Sequence, residues 1–172
     1  YSSQLAKKEL ITQEALDFFP SVPLEKSVGS LTQVFRNRAK MSVTGSLEKP
    51  IIGLVGQGDL DSGREILACP IHHPKLNELL GAMPELIQRH TLVPYQIQER
   101  KGELKGLIAF YSPLSDQMYL RFILRSKECI GRIRKLLPDL QNSFPALTFV
   151  TANIQPIPHA ILEGSEEIIL SE

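Results

Sequence analysis

A short run of positive charges is the clearest candidate for chemistry in this sequence. The cations are Arg36, Arg38 and Lys40. Successive side chains of a β-strand point to opposite faces, so these three would share one face and lie roughly 6.5–7 Å apart. That separation is near the spacing of phosphates along a nucleic-acid strand, and such contacts bind the backbone without reading its sequence. The intervening apolar residues also fit a plain half-buried strand with a solvent face. Those residues are Phe35, Ala39, Met41 and Val43.

A second basic segment, residues 118–135, carries six basic residues against the single acid Glu128. Arg121 and Arg125 alternate along a predicted strand that also holds Tyr119 on the same face. This face could offer RNA two cations and one aromatic surface for stacking. The other cations lie in the helix predicted to follow, where they could instead complement its dipole.

Cysteine and histidine are sparse, and their spacing predicts no complete metal or catalytic centre. Cys69 precedes His72 and His73, but the paired ligand motifs typical of zinc sites are absent from the sequence. The residues alone therefore predict that Cys69 is a small buried side chain. Cys129 falls on the apolar stripe of a predicted helix and is expected in the core. No Ser-His-Asp or Cys-His arrangement stands out, so no catalytic residue is predicted.

Composition is that of an ordinary globular protein, with 172 residues, 42% of them hydrophobic and 22% charged. Nineteen basic and nineteen acidic residues cancel, so overall charge gives no argument for a nucleic-acid partner. No apolar stretch is long enough to cross a membrane. The two cysteines are too few for a disulfide framework, which favours a reducing, cytoplasmic setting.

Hydrophobic periodicity and breaker residues predict an α+β fold, with a mixed, largely antiparallel sheet and helices packed on one side. Residues 1–30 are expected to form an N-terminal helix and linker, and residues 31–172 a central α+β domain. Glycines between residues 53 and 63 predict a plain loop, because no helix follows to make a dinucleotide-binding turn. Prolines 84 and 138 should kink or split their helices. The predicted helices are 3–17, 74–89 and 127–141, and the predicted strands are 34–45, 50–55, 104–112, 118–126, 147–154, 160–162 and 167–170.

Segments spread over nearly the whole chain resemble, in order, the bacterial 23S rRNA (uracil-5-)-methyltransferases, most closely the RumB type. Members of that family use S-adenosylmethionine to methylate C5 of a uridine through a nucleophilic cysteine, a general base and a Rossmann-like C-terminal domain. The expected mechanism flips the target base out and activates it covalently. The matching segments are Phe35–Gly53, Cys69-Pro70, Gly102–Lys105, Leu120–Ser126, Asn153–Pro156 and Glu163-Gly164.

The resemblance implies one cofactor ligand in this chain and no catalytic residue. Cys69, just before Pro70, matches the fourth cysteine of the family's iron–sulfur cluster. The other three would precede Tyr1, and the methyltransferase domain would follow Glu172. The chain is therefore expected to be a central-domain fragment, inactive alone and holding no cofactor. S-adenosylmethionine and the cluster would belong to the full-length enzyme.

The same resemblance makes 23S rRNA the expected partner, with no role for DNA or a membrane. Phosphate contacts are expected from Arg36, Arg38 and Lys40, joined by Arg121 and Arg125. Two other readings stay open: a stand-alone α+β protein-interaction module, which predicts an exposed apolar patch and no RNA affinity, and a metal or redox protein based on Cys69. The sequence leaves the oligomeric state open.

Overall fold

The computed structural model describes residues 1–19, 22–56, 61–158 and 163–171. Within these ranges the chain forms three α-helices and a seven-stranded sheet. The helices are α1 (Ser2–Leu16), α2 (Pro74–Arg89) and α3 (Ile130–Ser143). The strands are β1 (Arg38–Gly45), β2 (Pro50–Val55), β3 (Gly63–Glu65), β4 (Leu104–Ser112), β5 (Gln117–Leu124), β6 (Leu147–Ile154) and β7 (Glu166–Ser171). None of these helices is long and apolar enough to cross a membrane.

The strands lie in the order β3-β2-β1-β4-β5-β6-β7 across the sheet. Each neighbouring pair is antiparallel except β5 and β6, which run parallel. A parallel pair cannot be joined by a tight turn, and α3 makes the crossover between these two strands. The predicted mixed, largely antiparallel sheet is confirmed.

The hydrophobic core lies on one face of the sheet, under α2 and α3. Both helices contribute to the same buried cluster as the inward-facing residues of β1, β4, β5 and β6. The predicted packing of helices on one side is therefore confirmed, and the opposite face carries the polar positions of the strands. The buried helix residues are Leu76, Leu79, Leu80, Met83, Leu86 and Ile87 of α2, and Ile130, Ile133, Leu136, Leu137 and Leu140 of α3.

The basic strand begins at Arg38, not near residue 34 as predicted. Val34 has a positive φ of 56°, a conformation incompatible with an extended strand. Arg36 instead forms an isolated bridge with His72, and Phe35 is exposed and does not belong to the apolar face. From Arg38 to Val43 the predicted alternation is confirmed, and it ends at Thr44, which is buried.

The two internal prolines do not split their helices. Helix α2 continues through Pro84 and α3 through Pro138. Each proline is flanked by core residues of its own helix, so burial of the apolar stripe on both sides offsets the lost hydrogen bond. The predicted split is therefore wrong, and a kink at either proline stays a prediction.

Helix α3 begins at Ile130 and not at residue 127, strand β5 ends at Leu124 and not at residue 126, and a further difference lies at an edge of the sheet. The glycine-rich segment predicted as a plain loop contains the short strand β3, which pairs with β2. The predicted strand 160–162 lies outside the described residues. Helix α1 forms nearly as predicted, and none of its residues is buried. Whether residues 1–30 act as a separate unit stays a prediction.

Candidate nucleic-acid interface

The polar face of the sheet, opposite α2 and α3, brings cations and aromatic rings into adjacent rows. Arg38 of β1 pairs in register with Phe110 of β4, which pairs with Tyr119 of β5, which pairs with Phe149 of β6. Direct cross-strand partners point to the same face, so these four side chains form one row. The next row runs through Lys40, Ile108, Arg121 and Thr151.

Two of the predicted RNA contacts, Arg38 and Lys40, lie together and are exposed. Their side chains are 53% and 48% accessible. Both reach Glu163, with Lys40 Nζ at 2.6 Å and Arg38 at 3.6 Å from its carboxylate. The hydrogen bond and charge of Lys40 lower the pKa of Glu163, so this acid is ionised at neutral pH. The pair of cations is thus neutralised in part by one acid of the β6–β7 connection.

Arg121 lies on the same face and takes part in a denser network. Its Nε donates to Glu167 at 2.8 Å, and its guanidinium lies 5.6 Å from the centre of the Tyr119 ring. Thr151 and Asn153 also donate to Glu167. Burial opposes ionisation of Glu167, but these hydrogen bonds and Arg121 lower its pKa overall. Arg121 is therefore held in place and less exposed than Arg38 or Lys40.

Arg125, the other cation predicted on β5, lies beyond the end of that strand and is engaged elsewhere. Its Nε donates to Glu103 at 2.8 Å, and its terminal nitrogen makes a second bond to the same oxygen. The backbone and hydroxyl of Ser126 satisfy the other carboxylate oxygen of Glu103, at 3.0 and 2.6 Å. Because Glu103 is buried, this arrangement makes Arg125 a structural counter-ion. Its contact with RNA stays a prediction.

A cavity of about 340 Å³ lies beside the part of β1 that β2 does not pair. Its lining includes Arg36, Arg38 and Lys40, together with Cys69 and His72. The predicted cationic trio therefore shares one concave surface, although Arg36 precedes the strand. Burial lowers the pKa of His72, so its ring is neutral at pH 7 and adds no charge there.

Cys69 is only half-buried beside this cavity, so the prediction of a small buried side chain is wrong. Asn77 fixes its backbone, accepting from the Cys69 N–H at 3.3 Å and donating to its carbonyl at 3.0 Å. Within the described part of the chain, no three His, Cys, Asp or Glu side chains are placed to hold a metal ion. An iron–sulfur cluster needs four ligands, so these residues do not form a cluster site by themselves.

Cys129 is fully buried at the start of α3, which confirms its predicted place in the core. Burial raises the pKa of its thiol to about 11. A thiol with such a pKa is protonated at neutral pH and out of reach of a substrate, so Cys129 cannot serve as a nucleophile.

Sequence reasoning missed both the carboxylates and two of the aromatic rings of this face. Glu163 and Glu167 belong to an acidic terminal segment, but nothing in the sequence shows which cations they meet. Phe110 and Phe149 could have been found, because each occupies a polar-face position of its strand and yet is apolar.

The fold is shared with a solved RNA methyltransferase. The structure matches the Pyrococcus abyssi tRNA (uracil-54, C5)-methyltransferase in complex with S-adenosyl-L-homocysteine, with a TM-score of 0.72 and 17% sequence identity. The match covers 98% of this chain and 38% of that protein. At this identity the likeness shows the fold alone.

The sequence is more closely similar to particular bacterial enzymes. It is 37% identical over 99% of its length to the 23S rRNA (uracil(747)-C(5))-methyltransferase RlmC of Enterobacter sp. (strain 638). The proteins of the same name from Proteus mirabilis and Escherichia fergusonii are 37% and 38% identical over 98% of the chain. The chain spans 44–46% of the length of these curated relatives. No family model matches it.

Proposed function

We propose that this chain is the RNA-facing central domain of a 23S rRNA (uracil-5-)-methyltransferase of the RumB type. The observation that carries the proposal is the exposed pair Arg38 and Lys40 on the sheet face opposite the helices, with Arg36 on the same concave surface. The 37% identity to enzymes named for 23S rRNA methylation, over 99% of the chain, supports the choice of substrate.

The proposed role of these cations is to hold the phosphate backbone of the rRNA. Arg38 and Lys40 are alternate residues of one strand, so their Cα atoms lie roughly 6.5–7 Å apart, and both side chains reach the same oxygen of Glu163. Incoming phosphates would replace Glu163 as their partner, and Arg121 would extend the positive surface across β5. Such contacts fix the position of the RNA and carry no sequence information, so selection of the target uridine falls to other contacts.

The proposal assigns the reaction itself to the part of the relatives that this chain does not match. S-adenosylmethionine would supply the methyl group there. No described residue of this chain is placed as a nucleophile, since Cys129 is buried and protonated and Cys69 has no basic partner at hydrogen-bond distance. The chain alone is expected to be inactive, and its contribution is to bind and orient rRNA in the cytoplasm.

We also propose that Cys69 is one ligand of an iron–sulfur cluster whose other ligands lie outside this chain. Its support is the Cys69-Pro70 step, the half-buried position beside the cavity and the backbone fixed by Asn77. Iron content and visible absorbance of the full-length enzyme, with and without Cys69→Ala, test this assignment. Equal iron in both proteins would rule it out.

Binding of the 172-residue chain to a 23S rRNA hairpin, titrated in gel shifts at several salt concentrations, tests the central proposal. The triple variant Arg36→Glu, Arg38→Glu and Lys40→Glu should bind at least tenfold more weakly. The slope of log affinity against log salt should fall by about 2 to 3, as expected for three lost phosphate contacts.

The matched control carries the same change of charge at exposed positions of α1 and α3. Its substitutions are Lys7→Glu, Arg134→Glu and Lys135→Glu. This control should lose only a small part of the affinity through general repulsion. Equal binding by both triple variants, or binding that does not depend on salt, contradicts the proposal. A chain that binds no RNA favours the protein-interaction module instead.

A further inference from the structure

Three aromatic rings follow one another across the polar face of the sheet, in the row that begins with Arg38. Phe110, Tyr119 and Phe149 come from the three adjacent strands β4, β5 and β6. Phe110 is 42% exposed and Phe149 is 38% exposed. Large apolar rings at the solvent-facing positions of three neighbouring strands are not needed for the core, which lies on the other face.

The central ring is held rigidly. The Tyr119 hydroxyl hydrogen-bonds with Thr151 at 2.8 Å, and Arg121 lies over the ring. Phe149 stacks beside it, with centroids 5.6 Å apart and planes inclined by 27°. Rings fixed before binding lose little conformational freedom when a flat partner stacks on them.

The surroundings of the row decide what kind of partner fits it. Arg38 continues the row, and Lys40 and Arg121 occupy the row beside it. An apolar protein surface placed on the rings would bury these three cations together with their ion-pair partners Glu163 and Glu167, at a large desolvation cost. Single-stranded nucleic acid fits both the rings and the cations, because its bases offer flat π-faces and its phosphates offer negative charge.

We propose that this row, Phe110, Tyr119 and Phe149, is a stacking surface for unpaired bases of the rRNA substrate. The inference rests on the proposed function and adds to it that the bound RNA is single-stranded at this face. The bases of a duplex are stacked on one another and present only edges and backbone, so paired RNA gains nothing from the rings. The rings would hold the bases while Arg38 and Lys40 hold the adjoining phosphates.

Fluorescence anisotropy of the whole chain with a labelled single-stranded oligouridylate, and with a fully paired RNA duplex, tests the inference. Phe110→Ala and Phe149→Ala should each weaken oligouridylate binding about tenfold. Duplex binding and the salt slope should stay unchanged, since no phosphate contact is removed. Phe110→Leu should also lose affinity, because it keeps apolar bulk at the site but removes the aromatic face. Phe19→Ala, at an exposed phenylalanine outside the sheet, is the matched control.

Photo-crosslinking gives a readout that does not depend on substitutions. Oligouridylate containing 5-iodouridine should crosslink to peptides that hold Phe110, Tyr119 or Phe149. The inference is overturned if the wild-type chain binds oligouridylate with salt dependence and the phenylalanine variants bind it with an affinity within twofold of the wild-type value. It is also overturned if the variants lose as much affinity for the duplex as for oligouridylate. If the phenylalanine variants lose self-association of the chain but keep RNA binding, the polar face of the sheet is a protein interface and the inference is wrong. If the wild-type chain shows no salt-dependent binding, the proposed function itself fails.

Discussion

Lys40 and Glu163 are 123 residues apart in the sequence, yet the Lys40 ammonium donates to the Glu163 carboxylate at 2.6 Å. The neighbouring Gly164 keeps Glu163 in place, since its N–H donates to Asn153 at 2.6 Å and its carbonyl accepts from the same side chain at 3.0 Å. A Cβ at Gly164 would lie 1.9 Å from the Ile154 carbonyl, so this close approach needs glycine. The connection after β6 thus places an acid on the cations proposed to bind phosphate.

Replacing Glu163 by Gln should strengthen RNA binding. The substitution removes a charge that competes with phosphate for Arg38 and Lys40, so we expect affinity to rise about threefold at low salt and the difference to shrink at high salt. Gel-shift titrations of the wild-type chain and the variant measure both effects. Glu14→Gln, on exposed α1, changes net charge equally and should have little effect. A weaker Glu163→Gln complex would show that Glu163 orders the cations and does not compete with phosphate.

Arg125 should matter for stability far more than Arg38. Arg125→Ala leaves the buried Glu103 carboxylate without its cation, and we expect the free energy of unfolding to fall by about 2 kcal/mol. Arg38→Ala removes only an exposed ion pair and should change stability by no more than about 0.5 kcal/mol. Urea denaturation followed by circular dichroism compares the two. Equal effects would contradict the structural role of the Arg125–Glu103 pair.

Lys105 should give the fold a pH dependence on the alkaline side. Burial lowers the pKa of Lys105 from 10.5 to about 8. Between these values the unfolded chain holds a proton that the folded chain lacks, so stability rises with pH over this window. The neutral amine keeps two N–H groups, so it can still donate to the carbonyls of Gln155 and Ile157 and deprotonation leaves neither acceptor unpaired.

The comparison with Lys105→Met isolates this effect, because other titrating groups are common to both proteins. The stability of the wild type relative to the variant should increase by up to about 3 kcal/mol from pH 8 to pH 10.5. Thermal or urea unfolding at several pH values gives the difference. A difference that is flat over this range would show that Lys105 keeps an ordinary pKa.

The two cysteines should differ sharply in reactivity. Cys69 is half-buried beside a cavity, whereas Cys129 is fully buried with its pKa raised to about 11. A thiol reagent such as DTNB at pH 8 should therefore modify one thiol per folded chain and both in denaturant. Cys69→Ala should abolish the reaction of the folded protein. Labelling of folded Cys69→Ala at the wild-type rate would contradict the buried position of Cys129.

Local sequence pattern predicted most of the sheet and little of the site. Strict alternation identified the buried face of β1, and the bounds of β6 matched its apolar run, because both signals depend only on neighbouring residues. Pro84 and Pro138 did not split their helices, because burial of the apolar stripe outweighed the local tendency of proline to end a helix. Val34 ended the extended segment through a backbone conformation that carries no sequence signature.

The site depends on contacts between residues far apart in the chain, and a single sequence does not show which distant residues meet. Arg121 and Arg125 are both arginines at alternating positions of one predicted strand. Arg121 lies on the polar face of the sheet, whereas Arg125 neutralises the buried Glu103. The difference is set by which strand end lies near Glu103. The aromatic row likewise exists only because the register of β4, β5 and β6 aligns Phe110, Tyr119 and Phe149.

Helix α1 has 15 residues and buries none of them. Its ties to the following segment are few, such as the Ser27 N–H bonded to Glu9 at 2.9 Å. A helix of this length is marginal in water without packing, so α1 should open and close on its own while the sheet stays folded. Its amides should therefore exchange with solvent deuterium long before those of β4 and β5, which need the whole core to open.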